Sequence, residues 1–140
     1  MNKQVHLTTA LALAAAILSI PTLAIAVPTG TVEIEDTALL LGNGAAVLIS
    51  AEVTCDSTTA FKSLSVQLTQ RAGNRILQGF NSTEAFVCDG TPQTVEVAVS
   101  ASGRPFRKGV AAAQATLFAC DEFSCGNVAT DAEEIEIVSN

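Results

Sequence analysis

Ala45-Ala46-Val47-Leu48-Ile49-Ser50-Ala51-Glu52-Val53-Thr54-Cys55 repeats with a period of two. Val47, Ile49, Ala51, Val53 and Cys55 fall on one face, and Leu48, Ser50, Glu52 and Thr54 on the other. Only an extended chain puts every second side chain on the same side, so this run predicts a strand with one buried face. The same period recurs on either side of it. In 31–35, Val32 and Ile34 face a core; in 62–70, Leu64, Val66 and Leu68 do; in 94–100, Val95, Val97 and Val99 do. Gly42-Asn43-Gly44 and Ala72-Gly73-Asn74 punctuate the runs as turns. Residues 75–80 and 83–88 read as further strands, the second closed by Asp89-Gly90 as a hairpin signal. Residues 110–120 and 133–138 supply the last two.

One run allows two readings. Gly109-Val110-Ala111-Ala112-Ala113-Gln114-Ala115-Thr116-Leu117 is rich in Ala, the best helix former. It runs on into Phe118-Ala119-Cys120, lies between strand patterns and has no N-cap followed by a helical stripe. A strand with a thin Ala face is therefore expected. Seven or eight short strands and no helix predict an all-β, immunoglobulin-like antiparallel β-sandwich. With six Phe and no Trp, its core must be filled by Ala and small β-branched residues.

Residues 1–26 read as a signal peptide. Lys3 gives a positive n-region, 7–20 an apolar h-region, and Ala24-Ile25-Ala26 a cleavage site behind Pro21. An uncleaved anchor is the alternative, because 7–27 carries no charge; Pro21 and the small residues after it favour cleavage following Ala26. The expectation is a secreted protein, extracellular or periplasmic, with 27–140 as a single domain and no membrane span in the mature chain.

The whole chain has seven Lys and Arg against fourteen Asp and Glu, a net charge of −7. Setting Lys3 aside leaves six cations and a net charge of −8 for 27–140. The only His is His6 and the only Met is Met1, so 27–140 lacks His, Met, Trp and Tyr. Without His there is no Ser-His-Asp triad, Cys-His pair or His-ligated metal. An acidic chain with few cations and few aromatics is a poor nucleic-acid binder. A non-enzymatic protein with no cofactor and no metal is expected.

Cys55, Cys88, Cys120 and Cys125 are an even set in an exported chain, which reads as two disulfides. Cys55–Cys88 with Cys120–Cys125 is favoured, since Cys120 and Cys125 are near enough to staple a hairpin tip. The rival, Cys55–Cys120, imitates the cross-sheet bridge of immunoglobulin domains. A redox or metal role for Cys120 and Cys125 fits poorly, because their spacing is not C-x-x-C.

Val53-Thr54-Cys55, Val87-Cys88-Asp89-Gly90 and the run from Gly109 to Cys120 with Cys125 just after it form a combination that resembles small exported bacterial proteins with an immunoglobulin-like sandwich, many of unknown function. The stretch from Cys120 to Val138 is also similar to the C-terminal hairpin of the neocarzinostatin family of apo-chromoproteins. That likeness implies two disulfides on an immunoglobulin-like sandwich and an enediyne chromophore held in a cleft. Cys55 and Cys88 are widely separated here, where the family's other disulfide closes a short loop, so no binding residues carry over.

Half of the six cations sit in Ser102-Gly103-Arg104-Pro105-Phe106-Arg107-Lys108-Gly109. Arg104, Arg107 and Lys108 suit an anionic glycan, a phosphate or an acidic partner, with Phe106 as an apolar anchor. The structural alternative is a polar inter-strand loop in which Phe106 caps the end of the sandwich. Asp131, Glu133, Glu134 and Glu136 invite a calcium reading, but on a strand they point to both faces and no calcium-loop motif is present. They read as a solvated last strand. Asn81-Ser82-Thr83 is an N-glycosylation triplet. The functional expectation is an exported, non-enzymatic immunoglobulin-like binding or structural module whose partner is a protein, glycan or small ligand. A small-ligand carrier of the apo-chromoprotein type is the alternative.

Overall fold

A computed structural model describes residues 27–140; the leader reading falls on 1–26, outside the described residues. The chain is all-β. Its strands are β1 (Gly30–Ile34), β2 (Thr37–Leu41), β3 (Ala46–Cys55), β4 (Phe61–Ala72), β5 (Arg75–Thr83), β6 (Gln93–Ser100), β7 (Gly109–Cys120) and β8 (Cys125–Val138). The Ala-rich run is strand β7, as its alternation requires, with Ala111, Ala113, Ala115, Leu117 and Ala119 buried.

Hydrogen bonding follows the path β1-β3-β2-β8-β7-β4-β5, and β6 pairs with the free side of β3. The inward faces of β3, β4, β6, β7 and β8 contribute to one hydrophobic cluster. The pairing therefore folds over on itself, with β1, β3 and β6 facing β8, β7, β4 and β5. This is compatible with the expected immunoglobulin-like sandwich. Strand β2 joins the two halves, antiparallel to β3 through Leu39–Leu41 and parallel to β8 through Thr37–Leu39. At the opposite margin, Gly79 bridges Ala101 and the Ser102 N–H donates to the Gln78 carbonyl (2.8 Å). Both margins are thus partly closed, which limits the exposed edge available for unwanted strand addition.

Both disulfides have the favoured pairing, Cys55–Cys88 and Cys120–Cys125. The Cys55 bridge corrects one expected element. Residues 83–88 are not a strand: β5 ends at Thr83, and 84–92 form a loop that crosses toward the far sheet. Cys88 must reach the end of β3, so the chain cannot continue beside β4. Along the crossing Phe86 turns inward while Val87 stays exposed. The Gln93 side chain pairs with both backbone groups of Val87, taking the place of a ladder. Asp89-Gly90 makes no hairpin either. The Asp89 carboxylate accepts from the Thr91 N–H and hydroxyl, and the Gly90 N–H donates to the Cys55 carbonyl.

The strands run between two distinct ends. One, the disulfide end, holds both bridges together with the 56–60, 84–92 and 121–124 connections. The other, the hairpin end, holds the 42–45, 73–74 and 101–108 connections. Among the described residues no helix is long and apolar enough to cross a membrane. Two disulfides accord with an oxidising, extracellular or periplasmic setting.

Candidate functional site

The 101–108 loop separates its expected residues into two roles. Phe106 is only 2% exposed, so its ring is not presented to a partner. It occupies the hollow beneath Gly79, where a Cβ would come within 2.9 Å of the ring and still closer to the Ser100 carbonyl. The Phe106 N–H donates to the Gly44 carbonyl (2.9 Å). Gly44 has φ of +93°, and a Cβ there would collide with the Phe106 carbonyl. Two glycines thus make room for one aromatic plug, while Arg104, Arg107 and Lys108 stay exposed.

A second contact locks the loop. Gln70 follows Leu64, Val66 and Leu68 on the inward face of β4 and is 3% exposed, the only buried polar residue among those described. Its Nε2 donates to the Arg107 carbonyl (2.7 Å), and its Oε1 accepts from the Arg107 N–H (2.9 Å). The side chain acts as one more strand residue, pairing both backbone groups of Arg107 and satisfying its own buried amide. Gln70→Ala is expected to cost about 1–3 kcal/mol, because it removes both bonds. Urea denaturation checks this, and Gln70→Leu, which preserves bulk but not hydrogen bonds, will not recover the loss.

This pairing brings together cations that are far apart in sequence. Arg71 and Arg75 lie on the β4–β5 hairpin, beside the loop that carries Arg104, Arg107 and Lys108. Five of the six cations in 27–140 therefore share the hairpin end; Lys62, near the start of β4, is the sixth. A cleft of about 290 Å³ opens between Gln70, Arg71, Ala72 and Gly73 on one side and Arg107, Lys108 and Val110 on the other. Arg71 and Arg75 escaped the sequence reading because they belong to another hairpin. The detectable signal was Gln70, a polar residue in register with three core residues.

The disulfide end has the opposite charge, with Asp56, Glu84, Asp89, Asp121 and Glu122 on its loops. Its most prominent element is the tip Asp121-Glu122-Phe123-Ser124, held by Cys120–Cys125. Phe123 is 85% exposed. The Asp121 carboxylate accepts from the Phe123 and Ser124 N–H groups, each at 2.7 Å, and the Asp121 N–H donates to the Ser124 carbonyl (2.9 Å). A cleft of about 590 Å³ lies between this tip and Ser57–Ala60. Phe61 and Phe118 pack edge to face nearby, with centroids 6.2 Å apart.

The backbone N–H of Phe123, then that of Ser124, holds the Asp121 carboxyl below the usual aspartate range. A lowered folded pKa means that the charged form favours the folded tip. The contribution is complete above the ordinary aspartate value and disappears as pH falls through the lower folded one. An NMR pH titration should accordingly show the Phe123 and Ser124 amide shifts moving together in that acidic window. Asp121→Asn should abolish the transition.

The acidic last strand divides as well. Glu133, Glu134 and Glu136 are exposed, whereas Asp131 Oδ2 accepts from the Ile34 N–H (2.8 Å) and ties β1 to β8. No group of three His, Cys, Asp or Glu among the described residues is placed to hold a metal ion. Asn81 lies on β5, not on a loop, and its amide donates to the Ala98 carbonyl (2.8 Å). No protein-family model and no curated protein matches the chain.

Proposed function

We propose that the chain is an exported, non-enzymatic binding module, released by cleavage after Ala26, whose hairpin end engages an anionic partner. The observation that carries this reading is the segregation of charge. In a domain of net charge −8, five of six cations gather at one end, and three of them line a single cleft. Exposed guanidinium groups on a fixed backbone suit carboxylate, sulfate or phosphate groups of an acidic protein or glycan. The Gln70 clamp and the Phe106 plug fix that backbone before any partner arrives, which reduces the ordering cost of binding.

Dextran sulfate is a suitable probe. Wild-type protein should bind it with an affinity that falls as salt rises. The double variant R104A/R107A should bind roughly tenfold or more weakly at unchanged Tm. Equal binding by that variant would remove the loop from the site. The cleft at the disulfide end supports a second reading, a small-ligand carrier, since about 590 Å³ lies within the size range of small-molecule sites. Saturable binding of an apolar fluorescent probe, lost in Phe123→Ala, would favour that reading.

A further inference from the structure

We infer that copies of this chain associate head to tail, the Asp121-Glu122-Phe123 tip of one copy seating in the cationic cleft of the next. The inference rests on the hairpin end being a binding surface, and it names a partner for that surface. Each half of the contact has what the other lacks. The tip offers an exposed ring flanked by Asp121 and Glu122. The cleft offers Arg71, Arg107 and Lys108 around the apolar side chains of Ala72 and Val110, and Val110 is itself exposed. A phenyl ring between guanidinium groups gains cation–π attraction, and the flanking carboxylates meet the same cations.

Rigidity supports the same conclusion. A large apolar side chain at an unconstrained loop tip would have to be ordered on binding. Here the Cys120–Cys125 bridge and the two bonds to the Asp121 carboxylate already hold the tip. The cleft is fixed by Gln70 in the same manner. Both surfaces are preorganised, so little affinity is lost to ordering.

The overall negative charge does not forbid the contact. Strand β7 runs between the two ends over 12 residues, a span of roughly 40 Å at about 3.3 Å per residue. That is several times the screening length of about 8 Å at physiological salt. Each end therefore responds mainly to its own charge. At the cleft three cations outnumber the carboxylate of Glu136, which stands opposite Val110 on β8, so opposite ends attract. Tip and cleft are different surfaces, so the contact is heterologous and leaves one free tip and one free cleft on every open assembly. It extends into chains, or into a ring where the rotation closes, and does not stop at a two-fold dimer.

Sedimentation velocity on the purified, oxidised protein tests this. The weight-average mass should climb with concentration beyond that of a dimer and fall back as salt rises. Phe123→Ala and the double variant R107E/K108E, each folded by Tm, should weaken association roughly tenfold or more. The decisive sample is their equimolar mixture. Phe123→Ala keeps a working cleft and R107E/K108E keeps a working tip, so the mixture should form one-to-one heterodimers and go no further. A protein that stays monomeric throughout overturns the inference; if it still binds dextran sulfate through Arg104 and Arg107, the proposed function survives. A dimer indifferent to Phe123→Ala also overturns it.

Discussion

Phe106→Ala should lower the unfolding free energy by about 3–5 kcal/mol, the range for emptying an aromatic site in a packed interior. For a domain of this size that corresponds to roughly 10–20 °C in Tm, readable by calorimetry. The upper part of the range is expected because the surroundings cannot collapse into the vacated space. The ring lies against Gly79, which has no side chain to move inward, and the Phe106 backbone is anchored to Gly44. Phe106→Leu refills part of the volume and should cost clearly less. Enlarging Gly79 to Ala alone should destabilise too, since its Cβ would press on both the Phe106 ring and the Ser100 carbonyl. Combining Gly79→Ala with Phe106→Leu should cost less than the sum of the two, because the smaller Leu makes room for the new Cβ and the Cβ fills part of the space the ring leaves. A Phe106→Ala protein should also bind dextran sulfate more weakly, since Arg104 and Arg107 lose the anchor that fixes their backbone.

Phe106 also illustrates what could be read from the sequence. A Phe between Arg104 and Arg107 is equally suited to a partner's pocket or to its own core, and composition does not distinguish them. What decides it is Gly79, on a different strand, whose missing side chain leaves the hollow. Regular strands were legible wherever one face alone is buried, as in β3, β4, β6 and β7. Strand β2 was not. Thr37-Ala38-Leu39-Leu40-Leu41 does not alternate because β2 bridges two sheets and is partly covered on both sides. Most of β8 before Glu133 was missed for a related reason. Gly126, Asn127 and Thr130 carry no apolar side chain to mark an inner face, and the register shift at Leu117/Phe118 slips the alternation of burial by one residue at Val128. The 83–88 run alternates acceptably, yet the Cys88 bridge overrides it. Covalent and long-range constraints prevailed over local pattern in each case. The cationic cleft has the same origin: its loop half was visible in one cluster of charges, and its hairpin half arrives only through the backbone-like bonding of Gln70.

Removing the Cys55–Cys88 bridge should be the second large loss, about 4 kcal/mol in C55A/C88A, whereas C120A/C125A should lose about 2 kcal/mol. The difference follows from loop length. The first bridge closes a loop with a sequence separation of 33, the second one of 5, and the entropy removed from the unfolded chain grows with the logarithm of that separation. Packing widens the gap, because Cys55 is buried in the cluster at the end of β3, while Cys125 is exposed. The two losses should differ in reach as well. Without Cys55–Cys88, the 84–92 crossing is held only by non-covalent contacts, the Gln93, Gly90 and Asp89 hydrogen bonds and the buried Phe86 ring, so amide exchange should accelerate there and along β6. Without Cys120–Cys125, faster exchange should be confined to the 121–124 tip, because the β7–β8 ladder continues from Ala119 and Gly126 onward. The second variant then separates stability from assembly. It keeps the fold and the cationic cleft but presents Phe123 on a loosened tip. Its self-association should weaken while its binding to dextran sulfate stays unchanged, a combination that neither global unfolding nor loss of the cleft produces.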